Sequence, residues 1–124
     1  MTPRELIRQT AILFRDAGIP DPDNDAALLL SHLSGLHPLD LRLDTDTVLS
    51  EEQLRIFHAL AEKRLQRIPL QYLLEEAPFY GRMFLVDPRV LIPRPETELL
   101  VDWALELMRD RPVLRILDLC CGSG

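Results

Sequence analysis

The segment Asp118-Leu119-Cys120-Cys121-Gly122-Ser123-Gly124 combines residue types that can do chemistry. A short apolar run, Val113 to Leu119, leads straight into a Gly-x-Gly turn. Glycine has no side chain and tolerates positive φ, so such a turn lets a cofactor approach the backbone closely. Taken alone, the pattern reads equally as a tight turn or a linker. A second segment, Leu91-Ile92-Pro93-Arg94-Pro95-Glu96-Thr97-Glu98, is more specific. Each proline disfavours helix in its predecessor, so Arg94 is held in extended chain between two prolines. A helix then starts at once, with Glu96, Thr97 and Glu98 in its first turn, where acids complement the helix dipole. A stiff connector explains the acids but not Arg94. The other candidates carry less. His32, His37 and His58 show no ligand spacing with cysteines or acids, so no metal site is predicted. Glu51-Glu52 and Glu75-Glu76 read as solvated caps or turns, and Tyr72, Phe79, Tyr80 and Phe84 as packing residues. Cys120 and Cys121 are adjacent and cannot staple a fold, which suits a reducing, cytoplasmic setting.

The elements that must position these segments fall into three parts. Residues 1–68 read as a helical bundle. Thr2-Pro3-Arg4-Glu5 is a capping box with proline at the first helical position. Leu6, Thr10, Leu13 and Ala17 follow at helical spacing, flanked by Ile7, Ala11 and Phe14, and Gly18 is a natural stop. Asp21-Pro22 offers a second N-cap before Ala26, Leu29, Leu30 and Leu33, and Gly35 ends that helix. A short helix is predicted over Pro38 to Leu43. Ser50-Glu51-Glu52-Gln53 is another capping box, followed by a stripe of Leu54, Phe57, Ala61 and Leu65 widened by Ile56 and Leu60. Each helix has one apolar face, so a small antiparallel bundle is the stable solution.

Residues 69–95 form a linker of different character. Pro69 can start one helical turn through Tyr72 and Leu74, and Phe79 to Val86 then reads as a β-hairpin turning near Gly81-Arg82. Residues 96–124 open another architecture. Glu96 to Arg109 is an amphipathic helix with Leu99, Leu100, Trp103 and Leu107 on one face, and Val113 to Leu119 is a short apolar strand. A strand running into a Gly-rich turn opens a Rossmann-like α/β fold. Such a fold needs further strands, so the chain reads as cut within that domain.

Composition narrows the function classes. The chain has 124 residues, 47% hydrophobic and 27% charged, an ordinary globular balance. Its net charge of -6 makes it a poor candidate for tracking a phosphate backbone, so direct nucleic-acid binding is not expected. No apolar run is long enough to span a bilayer, and MTPRELIRQT has no apolar core of a secretory signal. Leucine-rich composition with 6% aromatics points to packed helices.

One ordered set of residues resembles a known family. Pro69-Leu70-Gln71-Tyr72-Leu73-Leu74, Phe79-Tyr80-Gly81, Phe84-Leu85-Val86, Leu91 to Glu98, Ile116-Leu117-Asp118-Leu119 and Gly122-Ser123-Gly124 occur in one order at close spacing. This strongly resembles the HemK/PrmC family of release-factor glutamine methyltransferases over about residues 60–124. The earlier residues match in kind, as a helical N-terminal domain, and Asp25-Ala26 to Leu30 is similar to a short family pattern. The resemblance implies methyl transfer from S-adenosylmethionine to the side-chain amide of the glutamine in the Gly-Gly-Gln motif of peptide-chain release factors. It implies a mainly α chain: a helical bundle that helps hold the release factor, a β-hairpin linker, and the first helix and strand of a truncated Rossmann-like methyltransferase domain. It maps cofactor contact onto Cys120, Cys121, Gly122, Ser123 and Gly124, with Arg94, Pro95 and Thr97 near the same pocket. The family's Asn-Pro-Pro-Tyr motif, which grips the substrate amide, would lie beyond residue 124, so no catalytic residue is assigned here. The chain alone is accordingly expected to serve recognition, as a monomer, without useful cofactor affinity or activity.

The chain also departs from the pattern. The family usually has Gly-Thr-Gly-Ser-Gly, and here Cys120 and Cys121 occupy the first two places. A Gly is common after the Gln-Tyr-Leu-Leu run, and here it is Glu75. A sister family that methylates ribosomal protein L3 often carries Cys in the turn and is the near alternative, although Glu96-Thr97-Glu98 favours the release-factor branch. A stand-alone helical adaptor would have no reason to carry the ordered run from Pro69 to Glu98. A nucleic-acid amino-methyltransferase would share the chemistry but not the acidic charge.

Overall fold

Helix α1 (Pro3–Asp16) begins where a reciprocal cap fixes it. The Glu5 N–H donates to Thr2 Oγ1 at 3.3 Å, and the Thr2 N–H donates to Glu5 Oε2 at 3.0 Å. That donation holds the Glu5 carboxyl below its ordinary range. The computed structural model describes residues 1–44, 46–112 and 114–124, in two units, Met1–Leu74 and Glu75–Gly124. The first unit is helical. Gly18, at φ 76, ends α1, and the Arg67 guanidinium donates to the carbonyls of Ala17 and Gly18 beyond it. A cation at a helix C-terminus satisfies orphan carbonyls and suits the dipole. Helix α2 (Pro22–Ser34) has Asp21 at its N-cap position, but the Asp21 side chain makes no capping bond. Pro22, with its fixed φ, starts the helix instead. Gly35, at φ 72, ends it. Helix α3 (Pro38–Leu43) is capped by His37, whose Nδ1 accepts from the Leu39 N–H at 3.2 Å. Helix α4 (Glu51–Leu65) carries the second reciprocal cap, between Ser50 and Gln53. Helix α5 (Leu70–Leu74) closes the unit.

The core of this unit gathers Leu6, Ile7, Phe14, Leu29, Leu30, Leu41, Phe57, Leu70 and Leu73. Ala26 and Ala27 are fully buried between the larger side chains. Leu13 is 57% exposed, against the expectation that it shares the stripe of Leu6 and Thr10. It lies roughly a quarter turn from the centre of the buried face. Ile56 is exposed for the same reason, and Leu33, Leu54, Leu60 and Leu65 pack at the rim. Inside the unit, Arg64 Nε donates to Asp25 Oδ2 at 2.8 Å, with both side chains largely buried.

The second unit starts at Glu75, which stands at φ 60, the left-handed position where glycine is easiest. Strand β1 (Glu76–Phe79) pairs antiparallel with β2 (Arg82–Leu85), with Phe79 opposite Arg82 and Glu76 opposite Leu85. The turn is Tyr80-Gly81, one residue earlier than the expected Gly81-Arg82. A two-residue turn with both central residues at positive φ matches the strand twist, and Tyr80 and Gly81 have φ 50 and 72. A 3-10 turn over Pro95–Thr97 precedes helix α6 (Glu98–Met108), so the α-helix starts two residues later than predicted from Glu96. The expected strand over Val113 to Leu119 is not formed in residues 114–119, and Val113 lies outside the described residues. A strand is defined by its ladder partner, and β1–β2 is the one ladder among the described residues.

Two stability outcomes follow. Leu30 is 1% exposed, so Leu30→Ala should cost ~2–5 kcal/mol. Leu13→Ala should stay within ~0.5 kcal/mol, as at surface sites. Equal losses for the two in urea unfolding would show that the buried face is misplaced. Removing one partner of the buried pair, Asp25→Ala, should cost about 3–5 kcal/mol because the Arg64 charge stays buried. Combining Asp25→Ala with Arg64→Met should recover part of that loss, and strict additivity in the cycle would rule out the coupling.

Candidate functional site

In the second unit, two segments far apart in sequence meet around a cleft of about 390 Å³. One is the extended run before α6. A turn closed by the Val90 N–H donating to the Asp87 carbonyl at 3.0 Å aims it, and Arg89 holds the Asp87 carboxyl down to about 2. From this run Leu91, Ile92, Pro93, Arg94 and Thr97 line the cleft. The other segment is Asp118 to Gly124, all of which lines it. The cleft therefore brings together Arg94, Thr97, Cys120, Cys121, Gly122, Ser123 and Gly124. Pro95 is not among its lining residues; it sits in the 3-10 turn and shapes the backbone there.

The turn itself is built from left-handed positions. Cys120, Gly122 and Gly124 have φ 60, 65 and 90, and the Gly124 N–H donates to the Cys121 carbonyl at 3.2 Å. A Cβ at Gly122 or Gly124 would meet nothing within 4 Å, so these positions present bare backbone to open space. Cys120 takes a left-handed conformation that glycine adopts at no steric cost. Arg94 reaches Glu96 at 3.5 Å, both side chains being exposed. The Glu96 backbone N–H, aided by Arg94, holds that carboxyl below its ordinary range.

Phe79 and Phe84 form one wall, packed edge to face at 6.1 Å, with Leu100 and Val101 from α6 beside them. Aromatic residues in a hairpin read as packing, and only the diagonal register of β1 and β2 shows that these two share a face. Asp118 is a carboxylate that sequence spacing did not single out as a contact. The hairpin turn is fastened to α6 by two acids: the Tyr80 N–H donates to Glu98 Oε1 at 2.8 Å, and the Tyr80 hydroxyl donates to Asp102 Oδ1 at 2.5 Å. Asp102, as acceptor, pushes the Tyr80 phenol above its ordinary value. Among the described residues no cluster of three or more His, Cys, Asp or Glu is arranged to hold a metal ion, and no helix is long and apolar enough to cross a membrane.

Residues 5–74, more than half of the chain, match the family model described as PrmC N-terminal domain. The whole chain is similar to curated proteins named release factor glutamine methyltransferase. The Chlorobaculum tepidum protein is 44% identical over 127 residues, covering 97% of this chain and 42% of its own length. The Corynebacterium glutamicum protein is 40% identical, covering 100% and 43%. A Homo sapiens protein named MTRF1L release factor glutamine methyltransferase is 36% identical, covering 97% and 38%. The chain thus spans about two fifths of the length of these curated relatives.

The fastening of Tyr80 has a titration signature. Its folded pKa is raised, so the bond to Asp102 is intact below the ordinary tyrosine value of about 10 and is lost as pH rises through the folded value. In a Tyr72→Phe background, tyrosinate absorbance should report Tyr80 alone, with a midpoint above that ordinary value. Asp102→Asn should bring the midpoint back down. A midpoint insensitive to Asp102 would disprove the link.

Proposed function

The chain belongs to the PrmC N-terminal domain family, and from that premise we propose that it is the recognition part and the beginning of the catalytic part of a protein methyltransferase. The reaction is methyl transfer from S-adenosylmethionine to the glutamine side-chain amide in the Gly-Gly-Gln motif of peptide-chain release factors. The roles we assign are substrate recognition to the bundle of residues 1–68, linkage to the hairpin-bearing residues 69–95, and the start of a Rossmann-like domain to residues 96–124. On this reading the protein works in the cytoplasm as a monomer that meets the release factor there.

The observation that carries the reading is the extent of the likeness: relatives named for this activity match 97% or more of the chain, and one of them matches all of it. The cleft supports it. Bare backbone at Gly122 and Gly124 suits a cofactor that must come close, and the apolar wall of Phe79, Leu91 and Ile92 suits an adenine-sized ring. Cys120, Cys121, Gly122, Ser123 and Gly124 would hold the cofactor by backbone contact, with Arg94 and Thr97 across the cleft and Pro95 stiffening that side. S-adenosylmethionine, when bound, supplies a methyl group on a positively charged sulfur.

An amide nitrogen is a poor nucleophile, because its lone pair is delocalised into the carbonyl. What an enzyme can supply is position, hydrogen-bond acceptors for the amide protons, and exclusion of water. The part of that task given to this chain is position. Contacts between the bundle and the release factor, remote from the reacting atoms, would be spent on orienting the glutamine.

The test is transfer of labelled methyl by the full-length protein to purified release factor and, in parallel, to ribosomal protein L3. Release factor should be labelled and the ribosomal protein should not. Deleting residues 1–74 should lower kcat/KM on intact release factor by ~100-fold or more, the scale of lost positioning, while cofactor binding persists. Labelling of the ribosomal protein alone would move the protein to the sister activity. Undiminished labelling after the deletion would remove the docking role.

A further inference from the structure

A second cleft, of about 170 Å³, lies on the first unit and is lined by Arg4, Ile7, Arg8, Asp23 and Arg42. Arg4 and Arg8 stand one turn apart on α1, and Arg42 joins them from the last turn of α3. All three are exposed, above an Ile7 floor that is 5% exposed. The one acid in the cleft does not neutralise them. The Asp23 carboxylate accepts instead from Arg15 Nη2, at 2.9 Å. Arg42 Nη2 donates at 3.4 Å to the backbone carbonyl of Asp23, which carries no charge. Among the described residues, neither Arg4 nor Arg8 is in an ion pair.

Like charges one turn apart on a helix repel, and the carboxylate that lines the cleft is already shared with Arg15, so positive charge is in excess here. This holds on a molecule whose net charge is -6. We propose that this cleft is a docking site for an acidic segment of the protein substrate, whose carboxylates are taken by the guanidinium groups of Arg4, Arg8 and Arg42. The planar guanidinium fork matches a carboxylate with two parallel hydrogen bonds, and three forks around one small cleft can take two or three neighbouring acids. A nucleic-acid strand presents the same kind of anion but in a long continuous row, which the acidic remainder of the chain repels. A short acidic segment meets only the positive cleft. The inference rests on the reading that the helical unit docks a protein substrate, and it names the chemistry by which it does so.

Binding of the 124-residue chain should be measured by calorimetry against three probes: purified release factor, a hexaglutamate peptide and a single-stranded RNA oligomer. Wild type should bind the release factor, more weakly at high salt, and should bind hexaglutamate, with amide NMR shifts in a parallel titration centred on residues 4–8 and 42. Arg4→Glu with Arg8→Glu should weaken release-factor binding about tenfold or more and abolish peptide binding. Arg42→Gln should weaken both without reversing a charge, and unchanged thermal melts would show that both variants stay folded. Undiminished release-factor binding by the variants would overturn the cleft while leaving the methyltransferase reading intact. Hexaglutamate binding at the cleft without release-factor binding would uphold the cleft and count against that reading. No binding of either, or Arg-dependent binding of RNA in preference to both, would overturn the proposal.

Discussion

Arg64 lies 14% exposed and Asp25 9% exposed, and each is tolerable there only because of the other. A buried carboxylate or guanidinium without its partner costs several kcal/mol, so α2 and α4 cannot slide past one another without penalty. Asp25 also sits in the first turn of α2, where a negative charge is favoured. Arg64 has a second commitment. Its Nη1 donates to the Ile68 carbonyl at 3.2 Å, which bends the chain after α4 back toward the bundle. Arg67 takes φ 71 within that bend and turns its guanidinium to the end of α1. Leu70 and Leu73 then reach the core from α5. One pair thus sets α2 against α4, directs the exit from α4, and brings the last helix of the unit into place.

The second unit depends on a different constraint, the two-residue turn. With Tyr80 and Gly81 as its central residues, the register of β1 and β2 is fixed, and Phe79 and Phe84 necessarily share a face. A turn at Gly81-Arg82 would keep the two rings on one face but set Phe79 directly opposite Phe84, in place of the diagonal edge-to-face contact. Tyrosine at positive φ is unfavourable in isolation. Here its N–H and its hydroxyl both donate to acids one turn apart on α6, Glu98 and Asp102, and those bonds hold the conformation. The turn that fixes the wall of the cleft is therefore itself held by the helix that lines the cleft.

What was legible in the sequence was what local chemistry decides. Both capping boxes, the glycine stops at Gly18 and Gly35 and the short helix Pro38–Leu43 follow from neighbours within four residues. The ordered motifs from Pro69 to Gly124 carried the family, because their types and order have no local explanation. The misreadings needed information from further away. Periodicity tells that a helix has an apolar face but not where its centre points, which is how Leu13 and Ile56 come to be exposed. No spacing rule pairs Asp25 with Arg64, 39 residues away. The cleft was half legible: the two segments could be chosen by residue type, but their meeting, and the exclusion of Pro95 from the lining, are tertiary facts.

The two units differ in what they do with apolar surface. In the first, the apolar faces of α1, α2 and α4 turn inward, and the core closes on itself. In the second, Leu99, Leu100, Trp103 and Leu107 of α6 are between 62% and 71% exposed, and Ile116, Leu117 and Leu119 more than 70%. A two-stranded sheet and one helix have too little area to cover such a surface, so these side chains stay exposed. The contrast is one of packing: a closed bundle holds its surface charges, such as those of Arg4 and Arg8, on a rigid frame, whereas the walls of the cleft in the second unit are only partly supported.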